Sequence, residues 1–195
     1  MTQGALSNYK NPQAEQEKRV DRVDREALGR SRGGLSTKIH LAADSRCRPI
    51  TTLTTAGQRH DSIVFEMVLD QVHVPRPGRG RPRCRPDLVL ADKAYSSRGN
   101  RSYLRRRGIR ATIPEKSDQV AARQRPGNRR RAPSFDRETY KDRNVVERAI
   151  NKLRSNRAVG TRYDKRDFVF RGTIDVASIR IWLRDPVPTD SRDTA

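Results

Sequence analysis

The chain has 195 residues, a formal net charge of +20, and near-equal shares of hydrophobic residues (33%) and charged residues (34%). This length suits one domain with a thin core. No apolar run approaches the ~20 residues needed to cross a bilayer, and the N-terminus lacks a signal-peptide pattern, so we expect a cytoplasmic protein with no membrane partner. Cys47 and Cys84 lie far apart without metal-ligand spacing, which supports neither a disulfide framework nor a zinc site.

The positive charge comes mainly from arginine. The sequence contains 35 Arg and 8 Lys, and the planar guanidinium group favours flat anions that accept two hydrogen bonds, above all phosphate. Nucleic acid is therefore the leading class of partner. A GC-rich genome also enriches arginine over lysine, but that bias leaves the net charge unexplained.

The first half of the chain predicts an N-terminal arm, a β-hairpin and a helix. Residues 1–30 mix charges with few large apolar side chains, which indicates a mobile arm or a loosely held helix. The stretches 36–44 and 49–57 are rich in β-branched residues, which predicts two antiparallel strands with His40 on the less buried face. Residues 60–74 predict an amphipathic helix capped by Asp61 or Ser62. Its apolar positions at helical spacing are Ile63, Val64, Met67 and Val68.

The second half predicts further strands and helices separated by two arginine-rich loops. Proline and glycine exclude regular structure from the loop 75–86. The stretch "DLVLADKAYSS" predicts a short buried strand, typical of parallel sheets, that ends in a turn at Asp92. A basic helix ended by Gly108, a strand within 109–116 and the second loop, 122–135, follow. Helices at 137–156 and 173–185 complete a domain spanning 31–185, before a disordered tail at 186–195.

One face of the long helix at 137–156 carries a polar set of side chains. At about 100° per residue, four of them fall within a band roughly 60° wide: Tyr140, Arg143, Glu147 and Arg154. The apolar residues lie on the opposite side: Val145, Val146, Ala149, Ile150 and Leu153. A solvated face with a Glu and an Arg in helical contact has the same pattern, so the pattern alone does not assign a function.

Four motifs stand out in chain order: "GRSRGGLSTKIHLA", "GQRHDS", "DKAYSS" and "RNVVERAINKLR". Together they resemble the C-terminal part of a DDE transposase of the bacterial insertion-sequence 5 group, over residues 27–185. In the related insertion-sequence 4 and 5 families a catalytic glutamate lies in a Y-x2-R-x3-E-x6-K signature. That signature matches Tyr140, Arg143 and Glu147, with Arg154 in place of the lysine. The second aspartate of the family triad follows a strand in a D-x-A-Y-like motif, which matches Asp92.

This resemblance implies an α/β fold of the RNase H-like type, a mixed sheet flanked by helices. It also implies that Asp92 and Glu147 bind Mg²⁺ or Mn²⁺ for phosphodiester chemistry, in which two ions activate the attacking oxygen and stabilise the leaving one. DNA would be cleaved at the transposon end, and the freed 3′-hydroxyl would then attack target DNA. Tyr140, Arg143 and Arg154 would position the cleaved end or brace the helix. In the alternative interpretation, Asp92 caps the helix or turn that follows the predicted strand.

The triad implied by the resemblance is incomplete in this sequence. Its first aspartate belongs to a strand before the "GRSRGG" loop, usually within D-x-T or D-x-S, and we find no such strand. Asp21 and Asp24 lie in a charged segment without the following hydroxyl, and Asp44 corresponds to a hairpin turn. We therefore expect a truncated chain, either a decayed remnant or a downstream reading frame that joins an N-terminal half encoded upstream. Because the missing strand would be central, we expect low stability in isolation.

Weaker candidates and two rival functions stay open. Arg30 and Arg32 lie in a glycine-rich loop suited to a DNA backbone, and His60 matches a family motif but also suits a helix cap. The first rival is a non-catalytic basic DNA-binding remnant or regulator. The second is an RNase H-like nuclease that only hydrolyses. The transposase hypothesis implies double-stranded DNA as the partner and association with the nucleoid, and it leaves a homo-oligomer open.

Overall fold

The computed structural model describes residues 26–31, 33–76, 78–128 and 131–184. In the first half, strand β1 spans Gly29–Ser31, β2 spans Gly34–Ala43, β3 spans Pro49–Ala56 and helix α1 spans Asp61–Asp70. Strand β4, Leu88–Leu90, leads into a 3₁₀ turn at Lys93–Tyr95. Helix α2, Arg98–Arg106, and strand β5, Arg110–Thr112, follow.

The second half is helical within the described residues. Helix α3 spans Ser117–Gln124, the short α4 spans Arg137–Tyr140, and a 3₁₀ turn covers Lys141–Asn144. Helices α5, Val145–Arg154, α6, Arg157–Gly160, and α7, Asp167–Arg184, complete the order. None of these described helices is both long and apolar enough to cross a membrane. The predicted tail and most of the predicted arm lie outside the described residues, and the predicted boundary at residue 30 falls inside β1.

The described strands form two sheets. β1, β2 and β3 make an antiparallel sheet in that order, with His40 opposite Leu53, and β4 and β5 make a parallel pair, with Val89 opposite Ala111. The α/β class, the antiparallel hairpin and the parallel strand before Asp92 are therefore confirmed. The prediction that β4 is wholly buried is wrong: Leu88, Val89 and Leu90 are only half-buried, because β4 has a described neighbour on one side alone.

The turn between β2 and β3 is held by Asp44. Its carboxylate accepts hydrogen bonds from the backbone N–H groups of Arg46 (3.0 Å) and Arg48 (2.9 Å) and pairs with the Arg48 guanidinium (2.5 Å). That guanidinium lies 4.1 Å from the ring centroid of Trp182. The indole N–H of Trp182 donates to the Pro49 carbonyl at 2.7 Å. The hairpin turn therefore anchors the C-terminal part of α7.

Helix α1 packs against both sheets. Its buried residues are Val64, Phe65, Val68 and Leu69. Phe65 and Leu69 belong to a core with Leu104 of α2 and Ile113, against which Ile50 of β3 and Val89 of β4 also pack. This helix therefore ties the antiparallel sheet to the parallel pair through apolar contact.

The prediction for α1 was correct in its position and partly wrong in its details. Ile63 and Met67, predicted on the apolar face, are 60% and 50% exposed, because the helix turns Phe65 and Leu69 inward instead. The N-cap is His60, whose ring nitrogen accepts from the Ser62 N–H at 3.2 Å. Asp61, predicted as a cap, pairs with Lys38 of β2 at 2.9 Å.

A second core covers the other face of the antiparallel sheet. Leu153 of α5, Val159 of α6 and four residues of α7 form it: Phe170, Ile174, Ala177 and Ile181. Ile39 and Leu41 of β2 pack against this cluster. Ala149 and Leu153 are almost fully buried, so the predicted core face of α5 is confirmed. The antiparallel sheet thus lies between α1 and the helices α5 to α7.

His40 lies on the α1 side of β2 and corrects another prediction. It is 7% exposed, so the expected position on a less buried face is wrong, because α1 covers that face. Its Nε2 atom lies 2.8 Å from the Thr55 hydroxyl, and its Nδ1 atom lies 3.8 Å from the Asp61 carboxylate. Burial lowers the pKa of His40, an effect that Asp61 opposes and Lys38 reinforces.

We expect this histidine to make stability depend on pH. Its unfolded pKa is about 6.5, and its folded pKa is lower, so the unfolded state binds more protons as pH falls below 6.5. The free energy of unfolding should therefore decrease from pH 7 to pH 5.5. Urea denaturation at several pH values should show a weaker decrease in His40→Gln, whereas the exposed His73→Gln control should match the parent. An unchanged pH slope in His40→Gln would contradict this assignment.

Candidate active site

Glu147 lies in the first turn of α5 on the side away from the core. The buried side chains of Ala149 and Leu153 hold this helix against the core. Lys152 also donates a hydrogen bond to the Arg46 carbonyl at 3.2 Å. Glu147 itself is exposed. Its carboxylate is therefore accessible on a helix whose position is set by packing against the sheet.

Glu147 is one of the residues that line an open concavity of about 560 Å³. Its lining comes from one stretch of chain: Arg137, Tyr140, Lys141, Arg143, Asn144 and Glu147. Three of the six side chains are cationic and one is acidic. A polyanion such as a nucleic acid backbone therefore meets a lining that is more positive than negative.

Aromatic contacts connect residues on one side of the concavity. The Arg143 guanidinium lies 5.2 Å from the Tyr140 ring centroid, and that ring lies 5.1 Å from the ring of Phe135. Asp136 caps α4 by accepting from the Glu138 N–H at 3.0 Å, and the Thr139 hydroxyl bonded to it lowers the pKa of that carboxyl. This side is therefore built by local contacts on either side of α4.

The predicted continuous helix at 137–156 is wrong. The chain forms α4, a 3₁₀ turn and α5 in succession, and the turn contains Asp142 and Asn144, which are weak helix formers. Among the described contacts Arg143 stacks on Tyr140 and makes no ion pair with Glu147. Arg154 ends α5 and does not line the concavity. The structure thus brings together Tyr140, Arg143 and Glu147 but leaves Arg154 apart.

Asp92 lies at the carboxyl end of β4, as the sequence predicts. Its side chain accepts from the Ala94 N–H at 3.4 Å and so caps the 3₁₀ turn. The ring of Tyr95 packs 5.3 Å from Phe65, and burial, with Asp61 and Asp92 nearby, raises the pKa of Tyr95 to about 12. Asp92 is exposed and does not line the concavity at Glu147.

The described side chains contain no group of three or more His, Cys, Asp or Glu residues that could hold a metal ion. Carboxylate oxygens are the ligands that Mg²⁺ prefers, so Asp92 and Glu147 fit by donor type while a full set of ligands is not present in this part of the chain. Arg30 is exposed on β1, and Arg32 lies outside the described residues. The sequence analysis missed three cavity-lining residues: Lys141 and Asn144, which lie within the Tyr140–Arg154 signature, and Arg137, which lies three residues before it.

A basic surface forms where the loop after α1 meets the end of α2. Arg107 joins them, because its guanidinium donates to the Cys84 carbonyl at 2.8 Å and pairs with Asp70 at 2.9 Å. We define the basic surface by five exposed arginines of the loop, the end of α2 and the start of β5 that make no ion pair in the described part of the chain: Arg79, Arg81, Arg105, Arg106 and Arg110. Such unpaired cations suit phosphate contacts.

Removing charge from the basic surface should change the salt dependence of DNA binding. Each phosphate contact contributes about 0.9 to the slope of log affinity against log salt, so Arg105→Ala combined with Arg106→Ala should reduce that slope by about 2. Fluorescence anisotropy on duplex DNA at several salt concentrations measures it. The control pair Lys165→Ala and Arg171→Ala removes the same charge elsewhere and should leave the slope nearly unchanged. Equal losses in both pairs would argue against a defined surface.

Comparison with known proteins identifies the class of this chain. A protein assigned as the transposase of insertion sequence element IS402 in Burkholderia cepacia is 32% identical over 80 residues, which cover 41% of this chain and 38% of that protein. A protein assigned as the transposase of element IS6501 in Brucella ovis is 27% identical over 150 residues, which cover 77% of this chain and 100% of that protein. The chain therefore spans about two fifths of the first relative and the whole of the second.

A match over a longer part of the chain identifies its family. Residues 15–172, most of the chain, match the family model described as a transposase DDE domain. The chain belongs to this family. The process in which the family acts is DNA transposition. No solved structure shows significant similarity to the chain.

Proposed function

We propose that this chain is the Asp92- and Glu147-bearing part of a DDE transposase catalytic domain that cleaves and joins DNA at transposon ends. The single observation that carries the proposal is the placement of Glu147, an exposed carboxylate on a packed helix inside a cation-lined concavity. Three cations share the concavity with this carboxylate, and one of them, Arg143, lies over the Tyr140 ring, which favours phosphate binding over a plain solvated helix face.

The side chains of the concavity would hold a DNA phosphate beside Glu147. Arg143 offers a planar guanidinium that is already oriented by Tyr140. The Lys141 ammonium group pairs with the Glu138 carboxylate at 2.5 Å. A phosphate would therefore compete with Glu138 for Lys141 at the exposed rim. The asparagine amide of Asn144 adds an uncharged donor. Arg154, on the far end of α5, would contact DNA only outside this concavity.

The metal ions implied by the family fit the chain in part. Asp92 and Glu147 supply the oxygen donors that Mg²⁺ or Mn²⁺ takes, and a further carboxylate is needed. When bound, such ions activate the attacking oxygen and stabilise the leaving oxygen of the phosphodiester. The protein groups named above would bind and orient the DNA for that chemistry.

The arrangement of strands supports an RNase H-like domain over residues 31–185. An antiparallel three-stranded sheet, a helix, and a parallel pair follow one another, and both sheets pack against the same helix α1. Inserting one strand between β2 and β4 would join them into a mixed sheet. The partners would be double-stranded DNA at transposon ends and targets, within the nucleoid, and an N-terminal half encoded upstream. A homo-oligomer would fit the pairing of two ends.

The test is cleavage of duplex DNA carrying the element's terminal sequence, with Mg²⁺ or Mn²⁺. Two proteins are compared: this chain, and this chain fused in frame to the product of the upstream frame. Cleavage followed by strand joining by the fused protein would support the proposal. Hydrolysis without joining would favour the nuclease. Binding without cleavage by both proteins would favour a non-catalytic DNA-binding regulator.

A further inference from the structure

Helix α7 has a second apolar face, which points away from the fold. Its buried side chains belong to the second core. Four further apolar side chains lie on the opposite side of the helix and are between 42% and 76% exposed: Val169, Val176, Ile179 and Leu183. We call these four residues the α7 stripe. A surface helix ordinarily has one apolar face and a polar face opposite to it, so the stripe calls for a partner.

The α7 stripe has the spacing of a contact between two helices. Val169, Val176 and Leu183 lie seven residues apart, and Ile179 follows Val176 by three residues. Gly172 takes the equivalent place after Val169, and a Cβ atom built there would meet no other atom within 4 Å. Residues at this spacing form one continuous seam along a helix, here about 21 Å long. The seam is therefore suited to a partner helix that lies alongside α7.

Charged residues of opposite sign flank the α7 stripe. Asp175 lies on one side and Arg180 on the other, and both are exposed. Asp175 makes no ion pair within the described residues, and Arg180 donates to the Asn156 side chain at 3.4 Å in an exposed contact. In two parallel helices, a residue on the first flank faces the residue five positions later in the neighbouring helix. Asp175 would therefore face Arg180 of a second, parallel copy of α7.

We infer that the α7 stripe binds a second copy of this chain, with the two α7 helices side by side and parallel. The stripe is complementary to itself, because a two-fold axis forms both Asp175–Arg180 pairs at once. An antiparallel pair with full overlap of the stripes brings Asp175 near its own equivalent, which charge repulsion disfavours. Because α7 has two acidic and three basic residues, little of the +20 charge lies on this helix.

The interface is small, and it is independent of the proposed function. Four apolar side chains and two ion pairs lie at the lower end of interface sizes, where association is weak. The two copies should therefore pair at high protein concentration and separate on dilution. DNA cleavage is not needed for this contact, so failure of the contact and failure of the catalytic proposal are separate results.

Exchange of the flanking charges tests both the surface and the direction of the helices. Sedimentation velocity of the whole chain, with a reductant because Cys84 is exposed, should give the mass of two chains at high micromolar concentration. Asp175→Arg and Arg180→Asp should each weaken pairing at least about tenfold, because each places like charges together. The double variant keeps the net charge and should pair like the parent. An equal mixture of the two single variants should form mixed dimers.

Removal of the apolar surface gives a second measurement. Val176→Thr combined with Ile179→Thr keeps both side chains β-branched but adds two hydroxyl groups, so it should weaken pairing at least about tenfold. Leu35→Thr is the matched control, because Leu35 is 68% exposed on β2, away from the stripe. This control should pair like the parent. Circular dichroism should show the same helix content in all variants, since none of these positions is buried.

Three results would overturn the inference. A parent chain that stays monomeric at every concentration would show that the stripe does not bind a second copy. A dimer that the single charge variants leave unchanged would be formed by another surface. A dimer that both single variants weaken, but that neither the double variant nor the mixture restores, would exclude the parallel arrangement.

Discussion

Glu147→Gln should reduce Mg²⁺-dependent DNA cleavage about a thousandfold, a loss of about 4 kcal/mol of transition-state stabilisation, while DNA affinity and folding stay close to the parent. The amide keeps the size of the side chain but loses the charge that holds a divalent ion. Glu147 is exposed, so no core contact is lost. The measurement is single-turnover cleavage of end DNA by whichever protein cleaves, the chain or its in-frame fusion.

Glu138→Gln is the matched control for this experiment. Glu138 is also exposed, lies in the same stretch of chain and pairs with Lys141 at 2.5 Å, but it does not line the concavity. Its variant should cleave at nearly the parental rate. If Glu147→Gln retains full cleavage, the carboxylate is not a metal ligand. If it loses DNA binding as well, the loss of cleavage follows from weaker binding, and the prediction that affinity stays close to the parent is wrong.

Phe170→Ala should cost about 3–5 kcal/mol of folding free energy. Phe170 is 2% exposed in the core formed by α5, α6 and α7, and its ring lies 5.0 Å from the Arg162 guanidinium, so truncation leaves a cavity and removes that contact. The free energy of unfolding of a whole domain is only about 5–15 kcal/mol. This loss should therefore leave the chain largely unfolded at 37 °C. Urea denaturation followed by circular dichroism measures the change.

Phe168→Ala makes the same chemical change two residues away. Phe168 is 74% exposed on α7, so we expect a change within about 0.5 kcal/mol. A similar loss in both variants would mean that the outer face of α7 is buried in solution. A small loss in Phe170→Ala would mean that the second core is loosely packed.

The elements set by local pattern could be predicted from the sequence. The β-branched runs gave the hairpin of β2 and β3, Gly108 with φ 63° ends α2 as its position suggests, and the apolar run before Asp92 forms a parallel strand. In each case the period of the apolar residues, or the conformational freedom of one glycine, decides the structure within a few residues.

Features that depend on distant neighbours could not be predicted. His40 is buried because α1, some twenty residues later, covers its face of the sheet. The face of α1 is decided by Phe65, which packs on Tyr95 across the fold, rather than by the helical spacing of Ile63 and Met67. Two apolar stripes fit the period equally well, and tertiary contact selects one.

The site was predictable where its residues lie close in sequence. Tyr140, Arg143 and Glu147 share a concavity, although a 3₁₀ turn replaces the helix on which that expectation was based. The relative position of Asp92 and Glu147 depends on contacts between distant parts of the chain. No periodicity in the sequence encodes such contacts. The roles of Asp92 and Glu147 in catalysis stay predictions.

The contact between Arg48 and Trp182 has a spectroscopic consequence. Trp182 is the one tryptophan of the sequence, so the intrinsic fluorescence excited at the red edge of the absorption band comes from a single place, where α7 meets the hairpin turn. The emission maximum should shift to longer wavelength when the indole leaves the Pro49 carbonyl and enters water. The chain therefore carries its own reporter for the detachment of its last described helix, without an added label.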